Sequence, residues 1–153
     1  MIVNGSRPPG TVVPSLIYED VAKAIDWLCD TFGFAERLRA SGPDGRVEHA
    51  QLTIGEGSVM LGRQRTGQGF GSPDSAELRP PRQGEVSHYV SVHVQDVDRH
   101  HDHASERGAR ILHPPTDYPF GERQYTAEDP AGHRWSFSQS VADVAPADWG
   151  ATP

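Results

Sequence analysis

The sequence predicts an α+β fold of two tandem βαβββ modules, and three observations carry that prediction. Asp20 opens DVAKAIDWL and Asp96 opens DVDRHHDHA, a separation of 96 − 20 = 76 residues, and Gly45 and Gly121 keep the same register, 121 − 45 = 76. Around these landmarks each copy runs in one order: an apolar strand, an Asp placed to cap a helix, a glycine near the helix end (Gly33, Gly108), then strand pairs. An internal repeat of this kind constrains the architecture before any single element is assigned. The third observation is the stretch YPFGERQYTAEDPAGHRWSF over residues 118 to 137, which reads as a β-hairpin around Asp129, Pro130, Ala131 and Gly132. Asp can bond the backbone ahead of it, Pro fixes φ and Gly supplies a conformation other residues resist.

Residues 1–11 carry prolines and glycines without an apolar period and are expected to form a flexible arm. Strand one follows as VVPSLIY, with Pro14 pointing to an edge position because it brings no N–H to a ladder. From Asp20 the apolar residues Val21, Ala24, Ile25, Leu28 and Phe32 form one helical stripe, which Gly33 ends. Phe34 to Ala40, Glu48 to Ile54 and Val59 to Gly62 read as strands with turns at Gly42 to Gly45 and Gly55 to Gly57. Residues 64–86, rich in Gly, Pro and small polar groups, read as a linker in which Phe70 and Leu78 still offer apolar contacts. The clearest period-two signal comes next: Val90, Val92 and Val94 on one face, Tyr89, Ser91 and His93 on the other. The valine face is expected to receive the second helix, Asp96 to about Arg107, whose inner stripe is only Val97, His101 and Ala104. Arg110 to His113 reads as strand six, and Pro114, Pro115 and Pro119 as an extended loop. Trp135 and Phe137 of the hairpin are expected to fill the core, His133 to join the turn's hydrogen bonding, and Trp149 to dock the tail. The expected organisation is an arm (1–11), a first module (12–63), a linker (64–86), a second module (87–139) and a tail (140–153).

A chain of 153 residues is long enough to bury a real core as one domain. Its net charge of −7, with no basic run interleaved with aromatics, excludes the electrostatic footprint of a nucleic-acid binder. No stretch approaches the roughly 20 apolar residues that span a bilayer, and the N-terminus lacks a signal-peptide core, so a cytoplasmic protein is expected. The single cysteine, Cys29, allows neither an internal disulfide nor a Cys-rich zinc site and is expected to be buried filler.

The order VSVHVQDVDRHHDHASERGARI followed by GERQYTAEDPAGHRWSF resembles the second module of the glyoxalase, bleomycin-resistance and extradiol-dioxygenase (vicinal oxygen chelate) superfamily, and residues 12–63, ending in QLTIGEGSVMLG, resemble the first. The motifs G-x-R-x-Y, D-P-x-G-H and W-S-F are similar to those of its PhnB-like subgroup. The resemblance covers roughly residues 12–139 and implies cupped mixed sheets around a cleft, with a homodimer as the usual assembly. The thin second helix and the Trp149 tail point to a homodimer as well.

Members with metal chemistry, as the resemblance implies, take a His or Glu from the first strand of each module and an acid from each last strand. Seven residues before Asp20 and Asp96 stand Val13 and Tyr89, and the final-strand positions fall at Ser136 and at Leu61 or Gly62. None offers the imidazole or carboxylate a divalent catalytic ion needs, so no metal and no cofactor is expected. A one-residue slip would bring His88 to the position of Tyr89, but a slip also reverses the face. His100, His101 and His103 lack the i,i+4 spacing that stacks two ligands and read as a solvated helix face.

The candidate ligand-binding residues are Val13, Ser15 and Ile17 from strand one, Tyr89, Ser91 and His93 from strand five, and Gln124, Thr126 and Ser136 from the last hairpin. Tyr118, Phe120 and Arg123 are candidates to close over the mouth; a structural role for Arg123, with Glu122, Asp129 or turn carbonyls as partners, is the competing reading. This lining suits a small organic ligand better than an ion. The leading expectation is a metal-independent protein that binds an apolar or aromatic molecule, as the bleomycin-resistance branch implies. The alternatives are a metal-dependent lyase, isomerase or dioxygenase of the same superfamily, and a metal-free acid/base enzyme using His93 or Tyr89. Whether any reaction is catalysed stays open at this stage.

Overall fold

The chain divides into two compact units, Met1–Arg82 and Gln83–Pro153, in a computed structural model that describes residues 1–65 and 78–152. The first unit runs β1 (Ser15–Tyr18), α1 (Val21–Phe32), β2 (Ala35–Ser41), β3 (Val47–Ile54) and β4 (Gly57–Arg63). The second runs β5 (Val90–His93), α2 (Val97–Glu106), β6 (Arg110–Asp117), β7 (Glu122–Glu128) and β8 (Arg134–Ser140), then a 3-10 turn at Pro146–Trp149. Each unit folds its strands into one four-stranded sheet, in the order β1-β4-β3-β2 and β5-β8-β7-β6. In both, the first strand pairs parallel to the last and the remaining pairs are antiparallel. This is the α+β architecture of a doubled βαβββ module.

The repeat landmarks fall on equivalent structural points. Asp20 accepts the Lys23 N–H at 3.1 Å and Asp96 accepts the Arg99 N–H at 3.0 Å, each satisfying one of the donors a helix start leaves orphaned. Gly33 closes α1 in the left-handed region, φ 81°, with its N–H on the Cys29 carbonyl. Gly45 and Gly121 lie in the equivalent turns, β2 to β3 and β6 to β7, with φ 77° and 83°, and each sends its N–H to the carbonyl three residues back.

Each core lies between the helix and one face of its sheet. In the first unit Val21, Ile25, Leu28 and Phe32 meet Leu16, Ala50, Leu52, Val59 and Leu61, all 3 % exposed or less. In the second, Val97 and Ala104 meet Val92, Tyr125, Ala127, Trp135 and Phe137. Burying a large apolar side chain contributes about 1.5–3 kcal/mol, so these layers decide which face of every strand is left for other work.

Several expectations are corrected. Strand one begins at Ser15 rather than Val12: Val12 is 85 % exposed, and Pro14, with no N–H to give, contributes only its carbonyl, to Met60 N. Strand six continues through Pro114 and Pro115 to Asp117, which is tolerated because β6 is an edge strand with register shifts along it. The second helix is not simply solvated on its histidine side. His100 turns its Nδ1 to within 2.6 Å of the Tyr125 hydroxyl and packs on Phe137, while His101 lies edge-on to Tyr125. Cys29 is half-buried rather than buried, and burial, followed by the carboxylates of Glu36 and Asp26, holds its thiol above the usual range. Of the two linker residues expected to offer apolar contacts, Phe70 lies outside the described residues, and Leu78 is 54 % exposed with its carbonyl accepting the Arg65 N–H.

Candidate functional site

Strand alternation leaves each sheet a second face that bears no helix, and the ladder register places the candidate residues on it. In the second unit Ser91 pairs with Ser136, Ser136 with Thr126 and Thr126 with His113, so four side chains form one row across the sheet. The next row is His93, Ser138, Gln124 and Thr116. Ser136 and Ser138 are buried in the middle of this face, while Ser91 and His93 are exposed at its β5 edge. Tyr89, two residues before Ser91, is 64 % exposed. His93 is tethered: its Nε2 accepts the Ser140 N–H at 3.3 Å. Gln124 donates to Glu122 at 2.6 Å. The geometry therefore brings Ser91, His93, Gln124, Thr126 and Ser136 onto one face, with Tyr89 beside them.

Arg123 is drawn elsewhere. Its parity is that of Tyr125, and its guanidinium meets Asp98 of α2 at 3.0 Å and Asp117 at 2.9 Å. Neither Glu122 nor Asp129 is its partner. Asp129 instead organises the hairpin turn: Oδ1 accepts from the Ala131 and His133 N–H groups, each at 3.0 Å, and Oδ2 from the Trp135 indole at 3.1 Å. Tyr118 and Phe120 stack at 5.3 Å, and Trp149 lies edge-on to Phe120 at 5.6 Å. The tail thus docks on its own unit, fastened where Val141 N and Ala142 N donate to the Gly121 carbonyl.

In the first unit Ser15, Met60, Gln51 and Leu38 form the row equivalent to that of Ser91, and Ile17, Gly62, His49 and Ala40 the next. Ile17 lies where its Cδ1 would stand 3.1 Å from a side-chain carbon at Gly62, so that glycine leaves room for the isoleucine. Val13 is half-buried just ahead of β1. Two residues that periodicity did not single out join this face. Gln51 is 4 % exposed, and Arg37 donates to its side-chain oxygen. Arg37 is the extra residue of a β-bulge, since Glu36 pairs with Leu52 and Leu38 with Gln51. Bulges re-aim a side chain in this way, and simple alternation would have grouped Arg37 with Arg39, which instead pairs with Glu36 at 2.6 Å.

A family model described as the Glyoxalase/Bleomycin resistance protein/Dioxygenase superfamily matches residues 11–137. The chain belongs to this superfamily. The glyoxalase-superfamily fold recurs in TioX from Micromonospora sp. ML1, 35% identical, whose crystal structure superposes with a TM-score of 0.69 over 86% of this chain and 99% of that one. A superfamily member from Sphaerobacter thermophilus, 23% identical, matches with a TM-score of 0.61 over 85% of this chain and 98% of its own, and shows the fold alone. Among sequence relatives, protein Mb0911c of Mycobacterium bovis is 33% identical over 131 residues, 86% of this chain and 84% of the relative.

A superfamily that includes dioxygenases raises the question of a metal, and the donor set at the positions counted from the helix caps does not fit one. Val13 and Gly62 bring no donor atom. Ser136 brings a neutral hydroxyl between those of Ser91 and Thr126, and Tyr89 a phenol. Hard or borderline divalent ions take carboxylate and imidazole donors. Among the described residues no three His, Cys, Asp or Glu side chains gather closely enough to hold an ion. His88, the alternative to Tyr89, is exposed and precedes the β5 ladder, which begins at Val90. No helix among the described residues is long and apolar enough to cross a membrane.

Proposed function

We propose that the protein is a metal-independent binder of an apolar or aromatic small organic molecule, taken on a helix-free sheet face. The observation that carries this reading is the row Ser91, Ser136, Thr126, flanked by the exposed ring of Tyr89. Small neutral hydroxyls beside an aromatic side chain supply contact area and a few directional hydrogen bonds without charge, which is how ligand sites orient organic molecules. The motifs Gly121-x-Arg123-x-Tyr125 and Asp129-Pro130-x-Gly132-His133 support an affiliation with the PhnB-like branch. Large exposed side chains, Tyr89, Val141 and Trp149, support a homodimer; light scattering that returned the single-chain mass of 16.7 kDa would count against it.

Calorimetric titration with the neutral planar probe 2-naphthamide, before and after exhaustive chelation, tests the main reading. Binding should survive chelation, and Ser91→Trp or Ser136→Glu should weaken it at least tenfold. Saturation at 100 times the dissociation constant should stabilise the fold by about 2.7 kcal/mol. Binding that vanished with chelator and returned with zinc, nickel or iron would instead favour the metal-dependent chemistry of the superfamily.

A further inference from the structure

The helix-free face of the first unit carries a donor pair with no equivalent in the second. The β2 bulge aims the Arg37 guanidinium across the sheet, where Nη1 donates to Gln51 Oε1 and Nη2 donates to the Gly5 carbonyl at 2.7 Å. With its oxygen engaged by Arg37, the Gln51 amide presents its N–H group in a fixed direction and donates to the Ser6 carbonyl at 2.9 Å. Gly5 and Ser6 are the central residues of a turn in the N-terminal arm. The Arg7 N–H closes it on the Asn4 carbonyl at 3.1 Å, and the Asn4 side chain accepts the Ser6 N–H at 3.0 Å.

Arg39, Arg63, Arg110 and Arg123 each meet a carboxylate, whereas the hydrogen bonds of Arg37 end on two neutral oxygens, an amide and a backbone carbonyl. A carboxylate can accept two parallel charge-assisted N–H···O bonds from one guanidinium, which a single carbonyl oxygen cannot. The arm therefore fills the site with the right atoms but without the charge that would satisfy it best.

We propose that Arg37 and Gln51 form an anchoring site for the carboxylate of an aromatic organic acid, and that the turn Asn4–Arg7 is its built-in competitor, displaced when the acid binds. The proposal rests on the reading that a helix-free sheet face takes the ligand, and for the first unit's face it names the ligand's class. On binding, the carboxylate accepts from Arg37 and Gln51 in place of Gly5 and Ser6, and the arm is released to solvent.

The test compares 2-naphthoate with 2-naphthamide by calorimetric titration of the full chain, and follows the Ser6 and Arg7 amide resonances by NMR. The parent should bind naphthoate at least tenfold more tightly than naphthamide, and those resonances should move toward random-coil positions only with naphthoate. Ser6→Pro removes the N–H that Asn4 accepts, so it should loosen the turn and strengthen naphthoate binding severalfold. Arg37→Gln should level the two probes, Arg37→Lys should keep part of the preference, and Gln51→Glu should repel naphthoate. Equal affinity for both probes in the parent and in Ser6→Pro, or amide resonances that ignore naphthoate, overturns the anchor and leaves the aromatic-ligand reading standing. If neither probe binds any variant, the anchor falls together with that reading.

Discussion

The two units share one scaffold and use it differently. At the position four residues after the helix cap, where the N–H returns to the Asp carbonyl, the first unit has Ala24 and the second His100. Opposite, in the strand row that contains Leu16 and Leu61 in one unit and Val92 and Phe137 in the other, the first has Ala50 and the second Tyr125. One core is closed by small apolar contacts, the other by a hydroxyl–imidazole pair inside a stack of rings. On the helix-free side the faces differ at one matched point, for Arg37 and Gln51 stand in the first unit where bulge register places Leu112 and Thr126 in the second. Backbone register is what the repeat conserves in this molecule, and the polarity of each face is free to diverge.

The largest expected contrast is between the two turn glycines. A side-chain carbon at Gly121 would stand 2.3 Å from the Ala142 carbonyl oxygen, whereas one at Gly45 meets nothing within 4 Å. Both have positive φ, which costs an L residue about 1–2 kcal/mol, but only Gly121→Ala adds a backbone collision, worth roughly 1–3 kcal/mol or more. Urea denaturation should show Gly121→Ala losing about 4 kcal/mol and Gly45→Ala no more than about 2. Equal losses would mean the tail does not pack on Gly121.

Next in size is Asp129→Ala. The residue is 3 % exposed and serves two backbone N–H groups and the Trp135 indole, while the corresponding turn of the first unit is the short Gly55-Glu56 link between paired Ile54 and Gly57. Leaving buried donors unpaired should cost about 3 kcal/mol, seen as a lower denaturant midpoint and a shift in Trp135 fluorescence. A loss below about 1 kcal/mol would show that the turn is held by its backbone geometry alone.

The smallest contrast concerns Tyr125. Burial raises its phenol well above the ordinary value near 10, so the folded chain keeps a proton that the unfolded chain releases. That contribution is complete below about pH 10 and declines as pH rises further, because the unfolded state then loses the proton first. Tyr125→Phe should cost about 1 kcal/mol at neutral pH through the lost bond to His100, yet its stability should fall less steeply than the parent's between pH 10 and 12. Parallel declines would remove Tyr125 as the cause.

Much of this was legible in the sequence because it rests on local rules. Asp20, Asp96, Gly33 and the Asp-Pro-Ala-Gly turn act through their own neighbours, and strict alternation sorted Val90, Val92, Tyr89, Ser91 and His93 onto the faces they occupy. The hidden parts depend on contacts distant in sequence or on broken alternation. Nothing in AERLRAS marks Arg37 as a bulge residue, and no period could link Arg123 to Asp98 or Gln51 to Ser6, 45 residues away. His100 was misread because an imidazole satisfies either water or a buried phenol, and only the partner across the core decides which.

The outer strands β2 and β6 also guard their exposed ladders against self-association by different chemistry. β6 carries Pro114 and Pro115, which have no N–H to offer an incoming strand, whereas β2 relies on its bulge and the charges of Glu36, Arg37 and Arg39. Salt screens charges but leaves a missing donor missing. In concentrated salt, aggregation of this protein should therefore start at the edge of the first unit, and a single proline introduced on the solvent side of β2 should delay it.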